Sequence, residues 1–84
     1  MPHIKGQRID KDIVRLEPNE GAPLEILQAD NRKWHSDHQG SKADKDQAVI
    51  DRVKVLCYER MGEVPSVFEV ELDPDGTVAN IIIT

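Results

Sequence analysis

The sequence predicts a small α+β domain, an antiparallel sheet of about four strands with one helix packed on one face, in the order β(β)βαββ. Three observations carry this expectation. Residues 44–61 repeat apolar side chains at helical spacing, and residues 68–83 alternate with the two-residue period of strands around an Asp73-Pro74-Asp75-Gly76 turn. Val and Ile supply 16 of the 21 Val, Ile and Leu residues, a β-rich balance. A chain of 84 residues fits one domain, residues 1–84, with a marginal core and no room for a large enclosed active site.

In chain order, His3 to Ile9 reads as a short edge strand and Asp12 to Leu16 as a strand. Pro18-Asn19-Glu20-Gly21 reads as a turn. Leu24 to Gln28 is ambiguous. Leu24 and Ile26 alternate like a strand, whereas Leu24, Leu27 and Trp34 share one side of a helix starting at Pro23; the strand is preferred. Residues 28–47 have only Ala29, Trp34 and Ala43 as apolar members and read as a polar connector. The helix from Asp44 to Met61 places Ile50, Val53, Cys57 and Met61 on one face, widened by Val49 and Leu56. Asp44 caps it with Gln47 in the capping-box position, Gly62 closes it, and Pro65 bars its continuation. In the C-terminal hairpin, the Asp73–Gly76 turn is expected to set Leu72 opposite Val78, Val70 opposite Asn80 and Phe68 opposite Ile82. Glu69, Glu71, Ala79, Ile81 and Ile83 then share the other face.

Composition narrows the function classes. No apolar run approaches the length of a membrane span, and Met1-Pro2-His3-Ile4-Lys5-Gly6 lacks the apolar stretch of a signal peptide. One cysteine, Cys57, excludes an internal disulfide and a multi-cysteine metal site and suggests a reducing cytoplasm. The first 42 residues are neutral, and residues 43–84 carry four basic and nine acidic groups. The densest basic point is Arg32-Lys33 beside Trp34, too little for the basic stripe that nucleic-acid binding requires.

Candidate chemistry is sparse. His35, Asp37 and His38 form the most metal-like stretch, but a third fixed ligand is needed, which His3 supplies only if the fold delivers it. A polar loop is the simpler reading, and no cofactor is expected. The Asp73–Gly76 turn resembles part of a calcium loop, but the twelfth position would be Ile82 instead of an acid. Cys57 with His35 or His38 as base would make a nucleophile. Its place on the apolar helix stripe points instead to an inert, packed thiol. Glu69 and Glu71 read as the wet face of a strand. Trp34 either folds back over the sheet or anchors a partner. No motif carries a resemblance to a known family, identifies a small-molecule ligand or supports an enzyme.

Two apolar features exceed what one core needs. Ala48, Val55 and Tyr58 lie on the helix face opposite Val53, and Ala79, Ile81 and Ile83 lie on the hairpin face away from Phe68 and Leu72. A terminal run Asn80-Ile81-Ile82-Ile83-Thr84 needs covering or pairing. These surfaces, with Trp34, predict a non-catalytic protein-binding module, a homodimer that occupies a partner's surface. That partner is a basic one if the acidic C-terminal half takes part. The alternatives are a structural component whose function is self-association, and a small metal-binding protein built on His35 and His38.

Overall fold

The computed structural model describes residues 4–62 and 67–83. They form an α+β fold of five strands and two helices: β1 (Ile4–Ile9), β2 (Ile13–Pro18), β3 (Leu24–Leu27), α1 (Gln28–Asp37), α2 (Lys42–Met61), β4 (Phe68–Leu72) and β5 (Val78–Ile83). In place of the single sheet of about four strands expected, strands β1, β2 and β3 form one antiparallel sheet in that order, and β4 and β5 form a second. The sheets meet where β1 runs beside β5, bridged by a hydrogen bond from the Gln7 side-chain amide to the Ile81 carbonyl.

The first sheet has one inner face, because Ile9 opposes Val14, which opposes Ile26, and Leu16 opposes Leu24. Val14, Leu16 and Ile26 are buried and join Val49, Val53 and Cys57 of α2 and Val70, Val78 and Ile81 of the hairpin in one core. The outer face is charged. Arg15 sits between Glu17, 3.6 Å away, and Glu25, 4.0 Å away. The edge strand β1 carries an irregularity between Ile4 and Gly6, which leaves Lys5 unpaired, as bulges on edge strands do.

Helix α2 carries the apolar stripe with its centre shifted: Val49, Val53 and Cys57 recur at i, i+4 and i+8 and are buried, Ile50 and Leu56 are partly buried against the core, and the expected place of the Met61 side chain lies outside what is described. It starts earlier than expected. Ser41 is the N-cap and Asp44 closes the capping box as its fourth member, so Asp44 is not itself the cap. Gly62 ends the helix in the left-handed conformation (φ 82°). The expected role of Pro65 lies outside the described residues.

The connector expected over residues 28–47 is for the most part helix α1, so two helices stand where one was expected, and the helix does not begin at Pro23. Its buried face is polar: Gln28, Asn31 and His35, at i, i+3 and i+7. An apolar pattern cannot reveal such a face, because hydrogen bonds do the work there. Gln28 Nε2 donates to the carbonyls of Val78 (3.0 Å) and Asp10 (3.2 Å). Gln28 Oε1 accepts from the Val78 N–H (3.0 Å) and from Asn31 Nδ2 (3.0 Å). The Gln28 N–H donates to the Asp12 carbonyl (2.8 Å), in place of a side-chain cap. One amide thus ties the start of β5, the β1–β2 turn and α1 together.

The hairpin turn rests on α1. Gly76 takes φ 93°, and a Cβ there would lie 2.4 Å from the Cβ of His35, so both the backbone angle and the close approach demand glycine. The Gly76 N–H donates to the Asp73 carbonyl (3.0 Å), and the Asp73 N–H donates to the Thr77 carbonyl (2.8 Å).

The hairpin register departs from expectation. Leu72 opposes Val78, but Glu71 then opposes Asn80, Val70 opposes Ile81 and Phe68 opposes Ile83. Ala79 is the extra residue of a bulge. A slip of one residue exchanges the faces of everything beyond it. Ile81, expected outside, is therefore fully buried, Ile83 packs against the core, and Ile82 becomes the exposed isoleucine.

Candidate functional site

The apolar side chains expected to form a partner surface lie on α2 and the hairpin. On α2 the face sealed by Val49, Val53 and Cys57 is opposed by Val55 and Tyr58, three residues apart and 54% and 51% exposed. Ala48, expected on the same face, is mostly buried. Lys54 and Glu59 flank the Val55–Tyr58 pair on opposite sides at helical spacing, both exposed, and neither enters an ion pair among the described residues. Burial pushes the Cys57 thiol up to about 12, which keeps it protonated and unreactive.

On the hairpin, Ala79 is exposed at the bulge. Ile81 drops out of any partner surface because it is core, and Ile83 contributes at most its half-exposed flank. The side chains on the outer face are Glu69 opposite Ile82 and Glu71 opposite Asn80. Ile82 is 38% exposed. The two carboxylates have no cation across the strand, unlike Glu17 and Glu25 around Arg15. Sequence alternation marks Glu69 and Glu71 as wet, but the role of Ile82 depends on the bulge and could not be read from it.

Trp34 folds back. It packs against the core with the Arg52 guanidinium 4.8 Å from its ring centroid.

The histidine stretch is split by α1. His35 is buried against α2, where its Nε2 donates to Asp46 Oδ1 at 2.7 Å, and Lys42 Nζ donates to Asp46 Oδ2 at 2.7 Å. These donors, Lys42 first and His35 after it, hold the Asp46 carboxyl below its ordinary value, against the opposing effect of burial. Asp37 and His38 are exposed at the far end of the helix. Among the described residues no three His, Cys, Asp or Glu side chains are grouped to hold a metal. His3 lies outside them.

A groove of about 340 Å³ opens between β1 and β5, lined by Ile4, Gly6, Gln7 and Asn80 with Ile81–Ile83. Among the described residues it gathers no titratable side chain. No helix among the described residues is long and apolar enough to cross a membrane. No family model, curated protein or solved structure matches the chain.

Proposed function

We propose that the protein is a non-catalytic protein-binding module of the cytoplasm that self-associates through α2 and turns its acidic C-terminal half toward a basic partner. The observation that carries this reading is the pair Val55 and Tyr58. Both are about half-exposed, one turn apart, on a helix whose other face is closed by Val49, Val53 and Cys57. Tyrosine is enriched at interfaces because it offers a large apolar ring with a polar tip at low entropic cost.

A second copy of this chain suits the face by charge. If Val55 and Tyr58 take the a and d positions of a parallel twofold pair, Lys54 falls at g and Glu59 at e. Five residues separate them, the interval at which g of one helix meets e of the other. The pairing occurs twice by symmetry. Asp51, one turn earlier, would face its own copy. It is held back along the helix by Gln47, whose Nε2 donates to Asp51 Oδ1 at 2.8 Å, and it confines the contact to the second half of α2.

Light scattering on the eluting protein tests this reading. The wild-type chain is expected at twice its monomer mass, and Val55→Ser/Tyr58→Ser at monomer mass with an unchanged circular dichroism spectrum. A wild-type monomer at all concentrations up to about 1 mM, a concentration at which even weak twofold contacts are populated, contradicts it.

A further inference from the structure

We infer that the free edge of β4 is a docking site for an extended, basic segment of a partner protein, which adds as a third strand to the β4–β5 hairpin. The inference rests on the protein-binding reading and gives it a site and a partner chemistry. Strand β4 pairs with β5 along one side and with no described strand along the other, so its outward main-chain groups form a template for a further strand. Phe68 and Leu72 on its inner face pack against the core but are only partly buried, whereas Val70 between them is buried. An added strand with small apolar residues at alternate positions would cover the two flanking side chains.

Charge decides what that strand carries on the other face. Glu69 and Glu71 project to the same side, roughly 7 Å apart. Their cross-strand neighbours are Ile82 and Asn80, neither of which neutralises them. A second copy pairing β4 to β4 would set carboxylates against carboxylates, which disfavours self-pairing at this edge. Lysine or arginine at alternate positions of the incoming strand would instead face both glutamates. Of the remaining edges, β1 and β5 face each other across the groove, and β3 has its outer glutamate, Glu25, already within 4.0 Å of Arg15 and runs directly into α1.

The test titrates the full chain with three synthetic probes, followed by amide chemical shifts. The first is a seven-residue peptide alternating Lys and Val, the second the same peptide N-methylated at alternate amides, and the third its Glu-for-Lys counterpart. Expected are saturable shifts centred on residues 68–72 with the lysine peptide, binding at least tenfold weaker with its N-methylated form, and none with the glutamate peptide. Glu69→Lys/Glu71→Lys should weaken the lysine peptide about tenfold and admit the glutamate peptide, the order expected when two opposite-charge cross-strand pairs become like-charge pairs. Glu69→Gln/Glu71→Gln, with no reversal of charge, should show a smaller loss in the same direction. Equal binding of the N-methylated peptide, shifts centred elsewhere, or no binding by the lysine peptide overturns the inference. Translational diffusion in the same samples reports self-association separately. A dimer that ignores the peptide refutes the docking site alone, and a monomer that binds it at β4 supports the docking site and refutes the self-association reading.

Discussion

Replacing Gln28 is expected to be among the most damaging single changes in the protein, although no apolar contact is lost. The fully buried amide satisfies the N–H and the carbonyl of Val78, the Asp10 carbonyl and the Asn31 side chain. Gln28→Met keeps the volume and removes every one of these partners. Two buried donors, the Val78 N–H and Asn31 Nδ2, are then unsatisfied at about 1–3 kcal/mol each. Asn31 Oδ1 already lacks a partner and cannot compensate. The expected loss is about 2–6 kcal/mol, against a total stability of roughly 4–13 kcal/mol for a chain of this length. Urea unfolding followed by Trp34 fluorescence and circular dichroism measures it. Gln28→Glu supplies an internal control. It keeps the acceptor that Val78 and Asn31 use but turns the donor toward Asp10 and Val78 into an oxygen facing two carbonyls. Burial and those carbonyls raise the folded-state pKa of the introduced carboxyl. The deficit is therefore small below the unfolded carboxyl value of about 4.3 and grows as pH rises from there through the folded value. A Gln28→Met variant within about 0.5 kcal/mol of wild type, or a Gln28→Glu deficit that does not change with pH, refutes the reasoning.

The bulge at Ala79 predicts opposite outcomes for neighbouring isoleucines: Ile81→Thr costs about 2–4 kcal/mol of unfolding free energy and Ile82→Thr within about 0.5 kcal/mol of none, and the reverse order would place the bulge elsewhere. Cys57, with its thiol pushed up to about 12, should react with a maleimide far more slowly in the native protein than in denaturant, and fast native labelling contradicts its burial. Asp46 is held below its ordinary value of 3.8, so the stability it contributes is present above that value and is lost as pH falls through the lower folded-state value. Urea unfolding between about pH 5 and pH 2 should show that acid-side slope reduced in Asp46→Asn, and identical slopes in the two proteins contradict the His35–Asp46–Lys42 linkage.

Helix α2 is legible in the sequence because its buried face is apolar and its period is regular, down to the closing Gly62. Its start is displaced because Ser41-x-x-Asp44 and Asp44-x-x-Gln47 are both capping-box frames, and only the conformation of the chain chooses between them. Helix α1 is not legible, since its buried positions Gln28, Asn31 and His35 are polar and their partners lie as far away as Val78. In the hairpin the turn and the first pair, Leu72 with Val78, follow from Asp73-Pro74-Asp75-Gly76. The pairs beyond it do not, because the bulge falls at Ala79 with no glycine or proline to mark it. Of the exposed apolar residues, Val55 and Tyr58 follow from helical spacing alone, whereas the exchange of Ile81 for Ile82 required the register. The sequence leaves Trp34 between two roles, because α1, which carries it beside Arg52, is itself not legible.

The proposed self-association through α2 is tested most directly by isotope-filtered nuclear Overhauser measurements on a mixture of labelled and unlabelled chains. Contacts between the Val55 methyl groups of one chain and the Val55 or Tyr58 side chain of the other are expected, and they should vanish in Lys54→Glu and return in Lys54→Glu/Glu59→Lys. Intermolecular contacts that map to the hairpin instead, or none at a concentration where scattering reports a dimer, would contradict the account.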